Sequence, residues 1–491
     1  MHTSLTLKTL TGIGYNTLAR VFILILTAAA NVILARNLSA DDYGIIGFGM
    51  IFINFLVQFS DFGISRAVIR KHDLSDEDLY TGFTFKFMIG VAAFVIAFAL
   101  SPFAKHIFDN DIVGDVIIIL SLNFVISNFA FIPHSLLTRD LDYKRMFIPQ
   151  TGTALVNYLL SIILAINGFK FWSIVIANIA SVTVNVILLN FIKPVRIRFA
   201  FNRAIAAEFF RFGSNLFLSG IVAFGIFNAD RVIIGSVMGS AVLGYYALAY
   251  NWGSIICGIV QDAVHNVLFP AFSKIQHDSE VLKKSYLQVL EFVSFISVFL
   301  NIGMLICSYD FLYFILGRGT DQWLPALISF DVLCVYGIIR SLMEPIGNVI
   351  LAVGKSDLLF KSTMIVGITE LVLLYPVLKY FNIEGVAVLV TAAYFLQVFV
   401  YFPFLKRDFN IHAGEILSSL KGAIVATVAV AFMIIPFNYY VTPSLVSFMI
   451  KILLITAAYI ITYGIATRWK IIKEIKNIVE KRSMSNNNKN G

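Results

Sequence analysis

Long apolar runs separated by short polar breaks dominate the chain. Runs of about twenty residues recur at 12–36, 43–64, 80–101, 111–132, 146–167, 170–192, 212–236, 243–269, 286–308, 324–352, 358–379, 384–405, 419–437 and 444–467. An α-helix needs roughly 20 apolar residues to cross a hydrocarbon core of about 30 Å, so each run is a candidate span. The pattern predicts an all-α integral membrane protein with fourteen transmembrane helices. Tight breaks, such as Asn167 to Phe169 and Asn382 to Glu384, are set by Gly, Asn and charge rather than by long loops.

Composition supports this reading. Of 491 residues, 59% are hydrophobic and 13% are charged, with a mean hydropathy of +0.85. Soluble proteins carry about twice that charged fraction. Fourteen spans leave only connections and a tail, too little for a soluble catalytic domain. The net charge of +8 would suit nucleic acid, but its distribution follows membrane topology instead. One side of the membrane receives 27 Lys and Arg and the other receives 5: Arg36, Lys105, Lys170, Arg318 and Lys379. Cytoplasmic loops retain positive charge, so both termini are expected in the cytoplasm, which requires an even number of spans.

Cys257, Cys307 and Cys334 lie inside apolar runs at no metal-ligand spacing, and imply neither a disulfide framework nor a zinc site. Ala28 and Ala30 imitate a signal-cleavage pattern, but the long segment, Arg20 within it and the many spans that follow predict a retained first helix. The stretch from Arg468 to Arg482 has aromatic and aliphatic residues at helical spacing among cations, which suits the anionic inner leaflet, and Ser483 to Gly491 reads as disordered.

The chain also resembles itself. A shift of 200 residues places Val32-Ile33-Leu34 on Val232-Ile233-Ile234 and Gly44 on Gly244, and a shift of 212 places Pro133 on Pro345 and Phe169 on Phe381. Two six-helix lobes running in the same direction, with two helices appended, would follow. The expected division is 1–200 for the N-terminal lobe, 201–410 for the C-terminal lobe, 411–467 for the appended pair and 468–491 for a basic cytoplasmic tail. A pseudo-twofold axis along the membrane normal and a cleft between the lobes are implied.

The segment Leu34-Ala35-Arg36-Asn37-Leu38-Ser39-Ala40-Asp41-Asp42-Tyr43-Gly44, with Ser60-Asp61-Phe62-Gly63-Ile64 beyond it, resembles the first hairpin of Wzx-type polysaccharide flippases. These belong to the multidrug/oligosaccharidyl-lipid/polysaccharide (MOP) exporter superfamily. Asp230-Arg231-Val232-Ile233-Ile234-Gly235, continuing to Leu243-Gly244-Tyr245-Tyr246, is similar to that family's seventh and eighth helices. The resemblance implies lobes that rock about a central cavity in a bacterial inner membrane. They would move an undecaprenyl-diphosphate-linked oligosaccharide repeat for O-antigen, capsule or exopolysaccharide, with a polysaccharide polymerase and chain-length proteins as partners. In relatives that flip the peptidoglycan precursor, cavity arginines receive the diphosphate, one of them on the first helix, the place that Arg20 occupies here.

An ionisable group deep in hydrocarbon costs about 2.5–3.5 kcal/mol on insertion scales, so those far from helix ends are functional candidates. Arg20, Lys86, Arg231 and Arg340 are candidates for binding the diphosphate, and the alternative for the long cations is snorkelling toward headgroups. Lys451, near a helix end, reads as such a snorkelling anchor. Asp230 and Arg231 could equally form an ion pair between helices. Asp331, Glu344 and Glu370 are candidates for ion coupling; Arg340 and Glu344, at i, i+4, share a face and can neutralise each other. Glu370 has no sequence-local partner, and so must find a distant cation or be protonated. Asp262 and His265 suit a hydrogen-bonded helix contact better than a proton relay. Span asparagines, among them Asn123, Asn128, Asn157, Asn228 and Asn348, are expected chiefly to join helices.

Enzyme signals are weak. Asp140-Leu-Asp142 and Asp109-Asn-Asp111 imitate D-x-D metal sites without a nucleotide fold, Gly12 and Gly14 complete no dinucleotide fingerprint, and there is no Walker A sequence. The expectation is a transporter without a cofactor. A drug exporter of the same superfamily would favour buried acids over this mixed set, and a membrane polymerase or ligase would need a large outer loop, where the longest here is about 15 residues.

Overall fold

In the computed structural model of the chain, residues 20, 22–61, 64–71, 73–107, 110–140 and 142–469 are described. They are helical almost throughout, with no β-strand among them. Ten of the helices formed by these residues are long and apolar enough to cross a membrane. Two units, Met1–Ala247 and Leu248–Gly491, divide the chain.

The first unit holds α1 (Phe22–Asn37), α2 (Ala40–Asp61), α3 (Ile64–Arg70), α4 (Asp76–Ile107) and α5 (Asp111–Ile126). A 3-10 turn, Ser127–Ala130, joins α5 to α6 (Phe131–Arg139). Then come α7 (Tyr143–Ile166), α8 (Trp172–Ile192), α9 (Arg203–Met238) and the start of α10 (Ser240–Ile275). Neighbours in sequence pair in space, α4 with α5 and α7 with α8, while α2 packs on α5 and α9. The second unit takes the rest of α10, then α11 (Ser279–Ile306), the short α12 (Ser308–Asp310) and a π-helical turn, Phe311–Leu316. After these follow α13 (Leu327–Ala352), α14 (Ser356–Phe409), α15 (Ala413–Tyr440) and α16 (Leu445–Thr467).

The helices outrun the apolar runs that predict them. α4 starts at Asp76 instead of 80, α9 at Arg203 instead of 212 and α11 at Ser279 instead of 286. Hydropathy falls at the first charges, but capping side chains carry the backbone further. Asn202 accepts from the N–H groups of Ala204 and Ile205, and Asp278 accepts from that of Val281. At the start of α4, Ser75 and Asp78 bond reciprocally, each side chain accepting the other's backbone N–H. The runs predicted at 358–379 and 384–405 lie within one element, α14, broken where Asn382 adopts φ 54°. Fifty-four residues would extend about 81 Å if straight, more than twice the hydrocarbon thickness. The chain instead doubles back, with Ser362 and Tyr401 hydroxyls 2.6 Å apart and Lys355 paired with Asp408 near the open end.

Two glycines permit a close backbone approach in the first unit. A Cβ on Gly44 would strike the carbonyl oxygen of Ser240, and a Cβ on Gly244 would strike that of Ala40. The contact is reciprocal, and a shift of 200 residues carries Ala40 and Gly44 onto Ser240 and Gly244. Ser39 caps α2 in a box with Asp42, whose second oxygen accepts the backbone N–H of Phe171 at 3.2 Å, and Asp41 accepts from the Ser240 hydroxyl. The segment Asn37 to Gly44 therefore owes its sequence to a cap and a close crossing.

Candidate functional site

In the first unit, Arg20 is exposed just before α1. Lys86 is half-buried on α4, its ammonium donating to Ser65 Oγ of α3 at 3.1 Å and lying 5.1 Å from the centre of the Phe131 ring of α6. The ammonium thus takes a hydroxyl and an aromatic face from neighbouring helices. Asp230 is buried, its carboxylate accepting from Tyr246 Oη at 2.8 Å and from the Arg231 backbone N–H at 2.8 Å. The Arg231 guanidinium donates to Asn228 Oδ1 at 3.3 Å. In the connection before α4, Lys71 donates to Asp78 at 2.7 Å, and this hydrogen bond holds the lysine pKa above its ordinary range.

In the second unit the densest polar set gathers around Arg340 of α13. Its guanidinium donates to Tyr336 Oη at 3.0 Å and lies 5.8 Å and 5.7 Å from the ring centres of Tyr336 and Tyr394. Those two rings meet edge to face at 4.9 Å, and Tyr250 of α10 closes the group with its hydroxyl 3.1 Å from that of Tyr336. Two tyrosine rings thus flank the cation, and a third phenol, from a third helix, bonds to one of them; together they form the Arg340 box. Helical spacing puts Glu344 on the same face as Arg340, but the guanidinium is turned to the tyrosines. Glu370 is buried on the first half of α14. Asp331, on the first turns of α13, is half-buried.

Lys451 departs from its expected role as a snorkelling anchor. It is buried and paired with Asp310, itself 2% exposed. Headgroup-seeking was inferred from a helix-end position, but α12 brings a carboxylate to that depth. Asn123 and Asn157 join helices as expected, donating to Asn178 Oδ1 at 2.7 Å and Ser181 Oγ at 3.1 Å. Asn128, Asn228 and Asn348 instead donate to carbonyls four residues earlier in their own helices. The Asp262 and His265 side chains, and the tail from Lys470 onward, lie outside the described residues.

Sequence reasoning missed Tyr250, Tyr336, Tyr394 and Asp310. Tyr336 was within reach, since it stands one turn before Arg340. Tyr250 and Tyr394 come from distant helices and leave no local signal.

Residues 33–328, more than half of the chain, match the family described as polysaccharide biosynthesis protein. The chain belongs to this family. The lipopolysaccharide biosynthesis protein WzxC of Escherichia coli (strain K12) is 28% identical over 369 residues, covering 73% of each chain. An uncharacterised membrane protein from the cps region of Klebsiella pneumoniae is 24% identical over 484 residues, covering 97% of this chain and 98% of its own. A structure titled lipid II flippase MurJ, inward closed conformation, superimposes with a TM-score of 0.77 at 14% identity, covering 94% of this chain and all of its own, and shows the shared fold. The resemblance to Wzx-type proteins therefore stands at the level of the polysaccharide-biosynthesis family, and the ten long apolar helices among the described residues are those of a multi-pass membrane protein.

Proposed function

We propose that this protein flips an undecaprenyl-diphosphate-linked oligosaccharide from the inner to the outer leaflet of a bacterial inner membrane, by alternating access, for O-antigen, capsule or exopolysaccharide synthesis. The observation that carries this reading is the Arg340 box. A permanently charged guanidinium stands within a membrane span, with one hydrogen bond to Tyr336 and aromatic faces on two sides. Arginine binds diphosphate oxygens through paired, charge-assisted hydrogen bonds, and tyrosine faces and hydroxyls suit sugar rings. The headgroup cannot cross unaided, because its charges and hydroxyls would have to leave water.

Arg20, Lys86 and Arg231 would supply further charge along the path of the first unit. An apolar cavity of about 240 Å³, lined by Leu290, Leu342, Phe395, Leu405, Ile416 and Leu420 among others, would take a stretch of prenyl chain at α15. Glu370, Glu344 and Asp331 would couple transport to protons or sodium. The fourteen-span count would arise from two passes in α14 and from α1, α9 and α10 beside the remaining apolar helices. Both termini would then be cytoplasmic, and the lobes would be 1–200 and 201–410. Polymerase and chain-length proteins would receive the flipped unit.

The test is reconstitution in vesicles with a polyprenyl-diphosphate-linked oligosaccharide whose sugar is fluorescent, read by quenching from outside. Loading of the opposite leaflet is expected from the wild type and not from Arg340→Ala. Export of a cationic dye with no movement of the lipid-linked sugar would reverse the reading toward a drug exporter.

A further inference from the structure

Between α8 and α9, residues 194–202 run without regular structure and lie along α4. The strap is pinned by two backbone bonds, Ala200 N–H to Thr84 Oγ1 at 3.1 Å and Asn202 N–H to Thr81 Oγ1 at 3.2 Å. Asn202 also donates from its side chain to Glu77 at 2.9 Å. Its side chains alternate. Val195 and Ile197 pack on the core that contains Phe83 and Phe131, while Arg196 and Arg198 between them are exposed. Phe199 leans on Phe83 and Phe87, at 5.4 Å from each ring, yet remains 64% exposed, and Phe201 meets Phe85 at 6.5 Å while 53% exposed.

The pattern is that of a segment lying at a membrane interface, with an apolar edge toward the chains and a basic edge toward the headgroups. Its depth agrees. α4 has 32 residues and is about 48 Å long, so it exceeds a 30 Å hydrocarbon core, and Thr81 and Thr84 stand on its second and third turns. Arg196, Arg198 and the exposed Arg203 form no hydrogen bond or ion pair with the described residues, whereas nearby Lys193 is engaged by Asp140 at 3.5 Å. Charge complementarity then selects the occupant.

We infer that the strap, through Arg196, Arg198 and Arg203 beside Phe199 and Phe201, is a docking surface for anionic phospholipid headgroups of the inner leaflet. It thereby holds the connection between α8 and α9 against α4. The surface uses no residue of the Arg340 box and does not depend on the transported substrate.

The full-length protein, stripped of lipid in a neutral detergent, is titrated with phosphatidylglycerol or phosphatidylcholine, and retained lipid is counted by native mass spectrometry. The wild type is expected to prefer phosphatidylglycerol. Near a headgroup layer each cation is worth about fivefold in affinity, so Arg196→Gln/Arg198→Gln should lower phosphatidylglycerol affinity about thirtyfold without changing phosphatidylcholine retention. Arg196→Lys/Arg198→Lys keeps the charge and should keep the preference, which separates charge from folding. Lys284→Gln, at an exposed cation of the second unit, should behave as wild type. Unchanged phosphatidylglycerol affinity in the glutamine double variant would overturn the inference, as would an equal loss in Lys284→Gln. Displacement of the lipid by inorganic phosphate at matched ionic strength, or by a soluble acidic protein in preference to phosphatidylglycerol vesicles, would also overturn it.

Discussion

Arg340 is held by ring faces as much as by hydrogen bonds, and this makes it hard to replace. Lysine keeps the charge but presents a compact ammonium that cannot lie flat between Tyr336 and Tyr394 while donating sideways to a diphosphate. Arg340→Lys is therefore expected to lower translocation at least tenfold in the vesicle assay with an unchanged size-exclusion profile, and Arg340→Ala to abolish it. Arg20→Ala is expected to abolish translocation and Lys86→Ala to weaken it, both with folded protein retained; normal surface polysaccharide in cells carrying Arg20→Ala would remove Arg20 from the path. Lys451 and Asp310 offer a separate test. Removing one partner strands a buried charge, so Lys451→Met should cost about 3–5 kcal/mol, read as a lower thermal midpoint. Adding Asp310→Leu should restore most of it, because the pair's own net contribution is small.

At the scale of elements, polar residues at helix ends decide where each rod begins. The Ser39–Asp42 and Ser75–Asp78 boxes are readable as short Ser-x-x-Asp motifs before apolar runs. Ser39→Ala is expected to cost about 1 kcal/mol, measured by thermal unfolding in detergent. Apolar length predicted the rods well because only helices satisfy their backbone inside lipid. It failed at helix ends, where caps and charges continue the helix beyond the hydrocarbon, but it placed the break inside α14 correctly, at Asn382, where φ 54° turns the chain. The site was legible only in part. A cation or carboxylate in a span announces itself by its cost, so Arg340, Glu370 and Lys86 could be found. What surrounds each one is decided by helices far apart in sequence. Tyr394 meets Arg340 across 54 residues and Asp310 meets Lys451 across 141, and tyrosine in an apolar run is not unusual enough to mark itself.

For the whole molecule, translocation requires two arrangements of similar energy and something that biases them. Glu370, buried on the first half of α14, is the carboxylate proposed to sense protons. Wild-type translocation is expected to vary with external pH, and Glu370→Gln to give a flat profile with a retained rate at one extreme. An identical pH profile in the variant would assign coupling elsewhere.

The crossing of Gly44 and Gly244 carries a consequence for how sequences of this kind can drift. Each glycine faces main-chain atoms, Gly44 the Ser240 carbonyl and Gly244 the Ala40 carbonyl and the Gly44 nitrogen, which no change of side chain can shrink. Enlarging position 44 therefore cannot be offset by a substitution at position 244, and the two sites are constrained separately although they share one crossing. Suppressors of Gly44→Ala should arise where α2 or α10 can slide as a whole, not at the opposing small residue.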